Sequence, residues 1–278
     1  MAEDKGALAG VIETVKTVVY ALLIAGIFRT VLFQPFFIPS GSMKDTLLVG
    51  DFLFVNKMAY GYSYASCPSI YLPGLGVDIG ADDFCGVFED YDDRLFGSDP
   101  ELGDVVVFRH PVTGRDFIKR VVGMPGDRIQ VRDGTLYIND EAAPQVPAGE
   151  FVETFAPQGS ARQLPQCSNG AVGQGSDCIK ERYTETLPNG TEHAVLNIGT
   201  RSLDNTGVFT VPADHFFFMG DNRDNSTDSR VAQSAGGVGF VHRKDLVGRA
   251  DRVIFSSAGS SMLAFWTWRS DRFFKAIE

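Results

Sequence analysis

The sequence predicts a mainly β protein: an N-terminal transmembrane helix, then an extracytoplasmic β-rich body that carries an inserted β-rich appendage. Three observations predict it. One apolar run spans residues 15–33, strand-like runs divided by turn residues follow, and 30 Gly with 13 Pro supply the turns. A length of 278 residues with 44% apolar content allows a sizeable core, which argues against a disordered chain or a disulfide-only miniprotein. The net charge of -10 argues against a nucleic-acid partner, whose phosphates demand a basic face. Four Cys and four His, none at zinc-ligand spacing, argue against a transition metal, and no cofactor is expected.

The first element is the anchor, in residues 1–34. Its uninterrupted apolar centre, 18–28, is 11 residues long. Lys16 and Arg29 can snorkel outward and extend the span to about 20 residues, the length a bilayer core needs. A cleavable signal peptide and a buried core helix are the competing readings. Against cleavage, Gln34, Pro35, Phe36, Phe37, Ile38 and Pro39 follow with no small-x-small pattern. Lys5, Lys16 and Arg29 offset Glu3, Asp4 and Glu13, so charge specifies orientation poorly. No second spanning run occurs, which predicts a single pass through a membrane with the body on its far side.

The body is predicted to consist of a β core in 35–141 and 208–255. Strands are expected at 51–57, 104–108, 117–122, 129–132, 136–138 and 216–219, with Asp133-Gly134 as a hairpin turn. Two stretches look inserted. Residues 61–100 are turn-rich and hold eight acids and one base between 78 and 99, the composition of a solvated acidic loop. Residues 142–207 are polar and read as the β-rich appendage. Cys167 and Cys178 enclose a Gly- and Ser-rich loop that a disulfide can staple, and Cys67 and Cys85 bracket a second irregular stretch. Four Cys allow three full pairings, and spacing alone does not choose; the local pair 167–178 is preferred. Residues 256–278 interleave aromatics such as Trp266 and Trp268 with Arg269, Arg272 and Lys275. That pattern suits a membrane interface or a cap on the core.

Three segments can carry chemistry. In Ser40-Gly41-Ser42, the glycine permits a tight turn that exposes Ser42 and aims its N–H at a developing oxyanion. Taken alone, it is an ordinary loop. In Asp116-Phe117-Ile118-Lys119-Arg120-Val121-Val122, strand alternation places Lys119 on one face between Phe117 and Val121. Desolvation there favours the neutral amine, whereas a free lysine pays about 4 to 5 kcal/mol to be neutral at pH 7. A lysine snorkelling from a strand end is the plainer alternative. In 220–230, the density of Asp, Asn and Arg can build a buried charge network. It fails as an EF-hand, because Arg223 takes a ligand position and Ala232 stands where Glu should close the loop.

Together, Ser40-Gly-Ser-Met, Asp116-Phe-Ile-Lys-Arg with Gly123-Met-Pro-Gly-Asp, and Gly220-Asp-Asn-Arg-Asp-Asn-Ser-Thr-Asp-Ser-Arg resemble bacterial type I signal peptidase (leader peptidase). The resemblance runs from about residue 15 to 255, less firmly across the two insertions. It implies a signal-peptidase-like fold and a membrane-anchored serine endopeptidase with a Ser–Lys dyad, which removes signal peptides after Ala-x-Ala-like sites. Ser42 would be the nucleophile and Lys119 the general base. The backbone N–H of Ser42 and the hydroxyl of Ser40 would form the oxyanion hole. Ser226 would orient the lysine amine, Asp228 and Arg230 would form a supporting ion pair, and Asp221 and Arg223 would stiffen the same box. Phe36, Ile38, Pro39, Phe117 and Ile118 would line the substrate pockets. The implied partners are preprotein signal peptides and the bilayer of the bacterial inner membrane, with the body outside the cytoplasm; a monomer is expected. Asp45 stands where this family usually has Pro. It is the one sequence hint for a rival, a catalytically inactive tethered relative that binds extended peptides.

Overall fold

The computed structural model describes residues 3–67, 70–72, 77–79, 85, 94–159, 162–259 and 264–277. Much of the acidic stretch 78–99 therefore lies outside the described residues. The chain begins with the helix Glu3–Ile27, followed by a π-turn at Phe28–Leu32 that runs directly into the strand Phe33–Phe37. Within the helix, residues Gly10–Ile27 have a mean hydropathy of 1.7 and none of them is buried; by length and composition this segment is long and apolar enough to cross a membrane.

The mainly β expectation holds. A seven-stranded sheet forms the body, in the order Phe33–Phe37, Asp51–Asn56, Leu246–Ser256, Val105–Arg109, Asp116–Gly123, His215–Met219 and Val241–His242. Each hydrogen-bonded pair in it is antiparallel. The strand Val105–Arg109 buries both faces, as its run of Val and Phe requires. On one side of the sheet, Val105, Val107, Leu53 and Val55 pack with Ile38, Met43 and Leu47. On the other, Val106, Phe108 and Val121 pack with Phe216 and Phe218.

Asp133 and Gly134 both adopt positive φ, 47° and 78°, the two-residue turn that matches strand twist. They join Arg128–Arg132 to Thr135–Ile138 in a four-stranded sheet. The 142–207 stretch contains a three-stranded sheet, Gln145–Thr154, Asp177–Thr186 and Glu192–Asn197. Disulfides join Cys167 to Cys178 and Cys67 to Cys85.

The C-terminal segment is held on the body by two arginines. Arg272 is buried; it donates to Asp51 and to the carbonyl of Thr46, while Arg269 donates to the carbonyls of Val49 and Ser257. These two arginines cap the back of the loop that follows Ser42. Phe265, Trp266 and Phe274 point outward and are exposed.

Candidate active site

Ser42 lies in the loop between Phe33–Phe37 and Asp51–Asn56. Met43 and Leu47 anchor this loop in the core, and its neck closes through Ile38 N–H to Asp51 O at 2.9 Å and Gly50 N–H to Ile38 O at 3.0 Å. Asn222 holds the turn itself. Its backbone N–H donates to Ser42 O at 3.0 Å and its Nδ2 to Gly41 O at 2.9 Å.

Lys119 sits on Asp116–Gly123, paired with Val106 on the neighbouring strand. Its Nζ donates to Ser42 Oγ at 2.7 Å and to Ile118 O at 2.9 Å, with the Phe117 ring centroid 5.6 Å away. Burial lowers the Lys119 ammonium to about 8, opposed by the charges of Asp228 and then Asp221. Lys119 is 4% exposed, so it does not snorkel to water. The amine is buried and hydrogen-bonded to the hydroxyl.

The Asp/Arg box follows the strand His215–Met219, which pairs with the Lys119 strand through Met219 and Arg120. Asp228 accepts two bonds from the Arg230 guanidinium, both 2.9 Å, and one from Gly220 N–H at 3.1 Å. Burial alone would raise the Asp228 carboxyl, but Arg230 holds it below the usual range. Gly220 is required by space: a Cβ there would lie 2.3 Å from Ser226 Oγ and 2.6 Å from Ser42 O. Ser226 is buried beside Gly220 and Asp228; its hydroxyl is not among the hydrogen-bond partners of Lys119, which are Ser42 and Ile118.

Asp221 and Arg223 belong to two separate ion pairs. Asp221 accepts from Arg120 twice at 2.9 Å and from Thr46 Oγ1 at 2.5 Å. Arg223 bonds to Glu185, through Nη1 to Oε2 at 3.0 Å and through Nη2 to Oε1. His193 Nε2 lies 3.3 Å from Glu185 Oε1, and burial keeps that imidazole below its usual range. Sequence reading did not single out Arg120, Thr46, Asn222, Glu185 or His193. Arg120 adjoins Lys119 and alternation placed it on the opposite strand face, a usable signal; Glu185 and His193 lie in the polar insertion and gave none.

A cavity of about 470 Å³ opens beside Ser42 and Lys119. Phe36, Ile38, Pro39, Ser40, Phe117 and Ile118 all line it, so the proposed pocket residues and the second oxyanion candidate converge on one cleft. Gln163 of the insertion and Asn225 and Thr227 of the box also line it.

Comparison with known proteins shows the family. The family described as "Signal peptidase, peptidase S26" matches residues 11–255. The chain belongs to that family. Similar relatives include a signal peptidase I of Rickettsia typhi, 36% identical over 248 residues, covering 86% of this chain and 78% of the relative. A signal peptidase I of Rickettsia prowazekii is 34% identical over 248 residues, covering the same shares. Among solved structures, a signal peptidase I of Enterococcus faecalis is 25% identical and covers 55% of this chain and 97% of its own, with a TM-score of 0.29. As a member of the signal peptidase family, the chain is a hydrolase, and the apolar segment Gly10–Ile27 fits a membrane-bound member.

Proposed function

We propose that the chain removes signal peptides from exported preproteins as a membrane-anchored serine endopeptidase, with Ser42 as nucleophile and Lys119 as general base. The observation that carries this reading is the 2.7 Å hydrogen bond between Lys119 Nζ and Ser42 Oγ. With the ammonium at about 8, holding the amine neutral at pH 7 costs about 1 to 2 kcal/mol instead of about 5. Neutral Lys119 takes the Ser42 proton as Oγ attacks the scissile carbonyl. The backbone N–H of Ser42 and the Ser40 hydroxyl receive the oxyanion. The charges of Asp228 and Asp221 favour the ammonium that forms, and this ammonium returns its proton to the departing amine. Water then releases the acyl-enzyme by the same route.

The cleft beside Ser42 takes an extended segment that adds alongside residues 36–39, with small side chains, Ala-x-Ala, at positions -3 and -1. The body works on the extracytoplasmic side of the inner membrane, where two disulfides are stable. Tyr62 Oη donates to Val31 O at 2.6 Å and ties the body to the end of the helix, which keeps the cleft near the lipid surface. The test is incubation of the detergent-solubilised protein with a preprotein bearing Ala-x-Ala. Mature product is expected from the wild type and none from Ser42→Ala or Lys119→Ala. Normal processing by either variant sinks the assignment; no processing by the wild type favours the tethered peptide binder.

A further inference from the structure

The insertion meets the Ser42 loop at two places that the chemistry above leaves unused. At the first, Lys44, 4% exposed, donates to Glu153 Oε2 at 2.5 Å and to Gln158 Oε1 at 2.7 Å. The other Glu153 oxygen bonds to Lys180, which is fully buried, and Gln158 Nε2 donates to Glu153 Oε2 at 2.6 Å. One carboxylate therefore bridges two ammonium groups, one from the loop and one from the strand Asp177–Thr186. At the second place, Arg182 of that strand brings Nε to 2.7 Å from Asp45 Oδ2.

We propose that the insertion is a positioning device for the nucleophile. Glu153, backed by Lys180, and Arg182 hold Lys44 and Asp45 so that Ser42 keeps its hydroxyl directed at Lys119. This inference rests on the Ser42 and Lys119 roles given above. Its mechanical link is short. The Lys44 stem lies against Gly41, and the Lys44 backbone N–H donates to Gly41 O at 3.3 Å, which couples Lys44 to the residue that precedes Ser42. Asn222 grips the carbonyls of Gly41 and Ser42, and the insertion grips the next two side chains past Met43. The turn is thus held on both flanks.

A role confined to stabilising the insertion does not account for these contacts. Lys180 and Glu153 both belong to the insertion and already pair with each other; Lys44 adds a second desolvated ammonium to the same carboxylate, and its desolvation penalty offsets much of the gain in stability. The Arg182–Asp45 pair is 40% and 26% exposed, and such a pair adds little stability. What the two contacts share is their attachment to 44–45.

The experiment measures kcat and KM separately on an Ala-x-Ala preprotein, using the full-length chain in detergent. Lys44→Met is expected to lower kcat about 10-fold and Arg182→Ala about 3-fold, with KM within about twofold of wild type, since misplacing a reacting atom slows chemistry more than binding. Exchanging the partners, Asp45→Arg with Arg182→Asp, is expected to restore kcat to within about twofold of wild type, while each single change lowers it. Unchanged kcat in Lys44→Met and Arg182→Ala, or an exchanged pair no better than its singles, overturns the proposal and leaves the dyad assignment standing. Normal processing by Ser42→Ala removes the assignment beneath it instead. Should Lys44→Met fail to fold, the partly exposed 45–182 exchange decides alone.

Discussion

Arg120 and Asp221 form a two-pronged ion pair, Nε to Oδ1 and Nη2 to Oδ2, both at 2.9 Å, that ties the strand bearing Lys119 to the box bearing Asp228. Arg120 is fully buried and also donates to Gly103 O at 2.7 Å. Burial alone would raise the Asp221 carboxyl, but the Arg120 guanidinium holds it below the usual range. The pair fixes the distance between the two halves of the site without touching the cleft beside Ser42.

Asp221→Ala takes this carboxylate from a guanidinium that has no route to bulk water. The expected loss is about 3 to 5 kcal/mol of unfolding free energy, and less for Asp221→Asn, which still accepts hydrogen bonds. Urea unfolding followed by intrinsic fluorescence measures it. A loss within experimental error would mean that Arg120 is held by its other contacts.

The rate of preprotein cleavage should follow the deprotonation of Lys119. With the ammonium at about 8, kcat/KM is expected to rise about tenfold per pH unit below that value and to level off above it. The profile should be recorded where chemistry limits the rate. A flat response between pH 6 and 10 contradicts the general-base role.

The same lysine makes a stability prediction of opposite bearing. Its folded value, about 8, lies below the 10.5 of a lysine in the unfolded chain, so between those two pH values the unfolded chain binds more protons and wild-type stability rises with pH. Below pH 8 the burden of a buried ammonium is fully present, about 3 kcal/mol. Lys119→Met should therefore melt above wild type at pH 7, with the gap closing toward pH 10.5. Melting curves across that range test it; a gap independent of pH would show that packing, not charge, separates the two proteins.

Legibility in the sequence followed local patterning. The strand Asp116–Gly123 was readable because Phe, Ile and Val run up to a Pro125-Gly126 turn signal, and the 133–134 turn because Asp-Gly tolerates two positive φ values. Phe33–Phe37 was not read as a strand: it continues the apolar run and contains Pro35, which a sheet accepts only at its edge, where this strand lies. Leu246–Ser256 was missed because its register shifts twice against Asp51–Asn56, breaking the two-residue period, and Arg249, Asp251 and Arg252 read as loop. Glu153, Lys180 and Arg182 were invisible as site residues because nothing local distinguishes a charge that faces water from one that faces Lys44 or Asp45.

The sequence by itself determined the residue types, their order along the chain and the faces on which strand residues fall. Those follow from covalent connectivity and the pleat, which act over a few residues. Only the tertiary structure decided that Ser42 meets Lys119. The strand leading to Ser42 lies at the sheet edge, and the Lys119 strand is four places across, which in a flat sheet is about 19 Å. Twist and curl of the sheet, together with the loop reaching from its edge, bring the two side chains to 2.7 Å. The lowered Lys119 ammonium likewise belongs to the fold, because desolvation depends on what the whole chain packs around the amine.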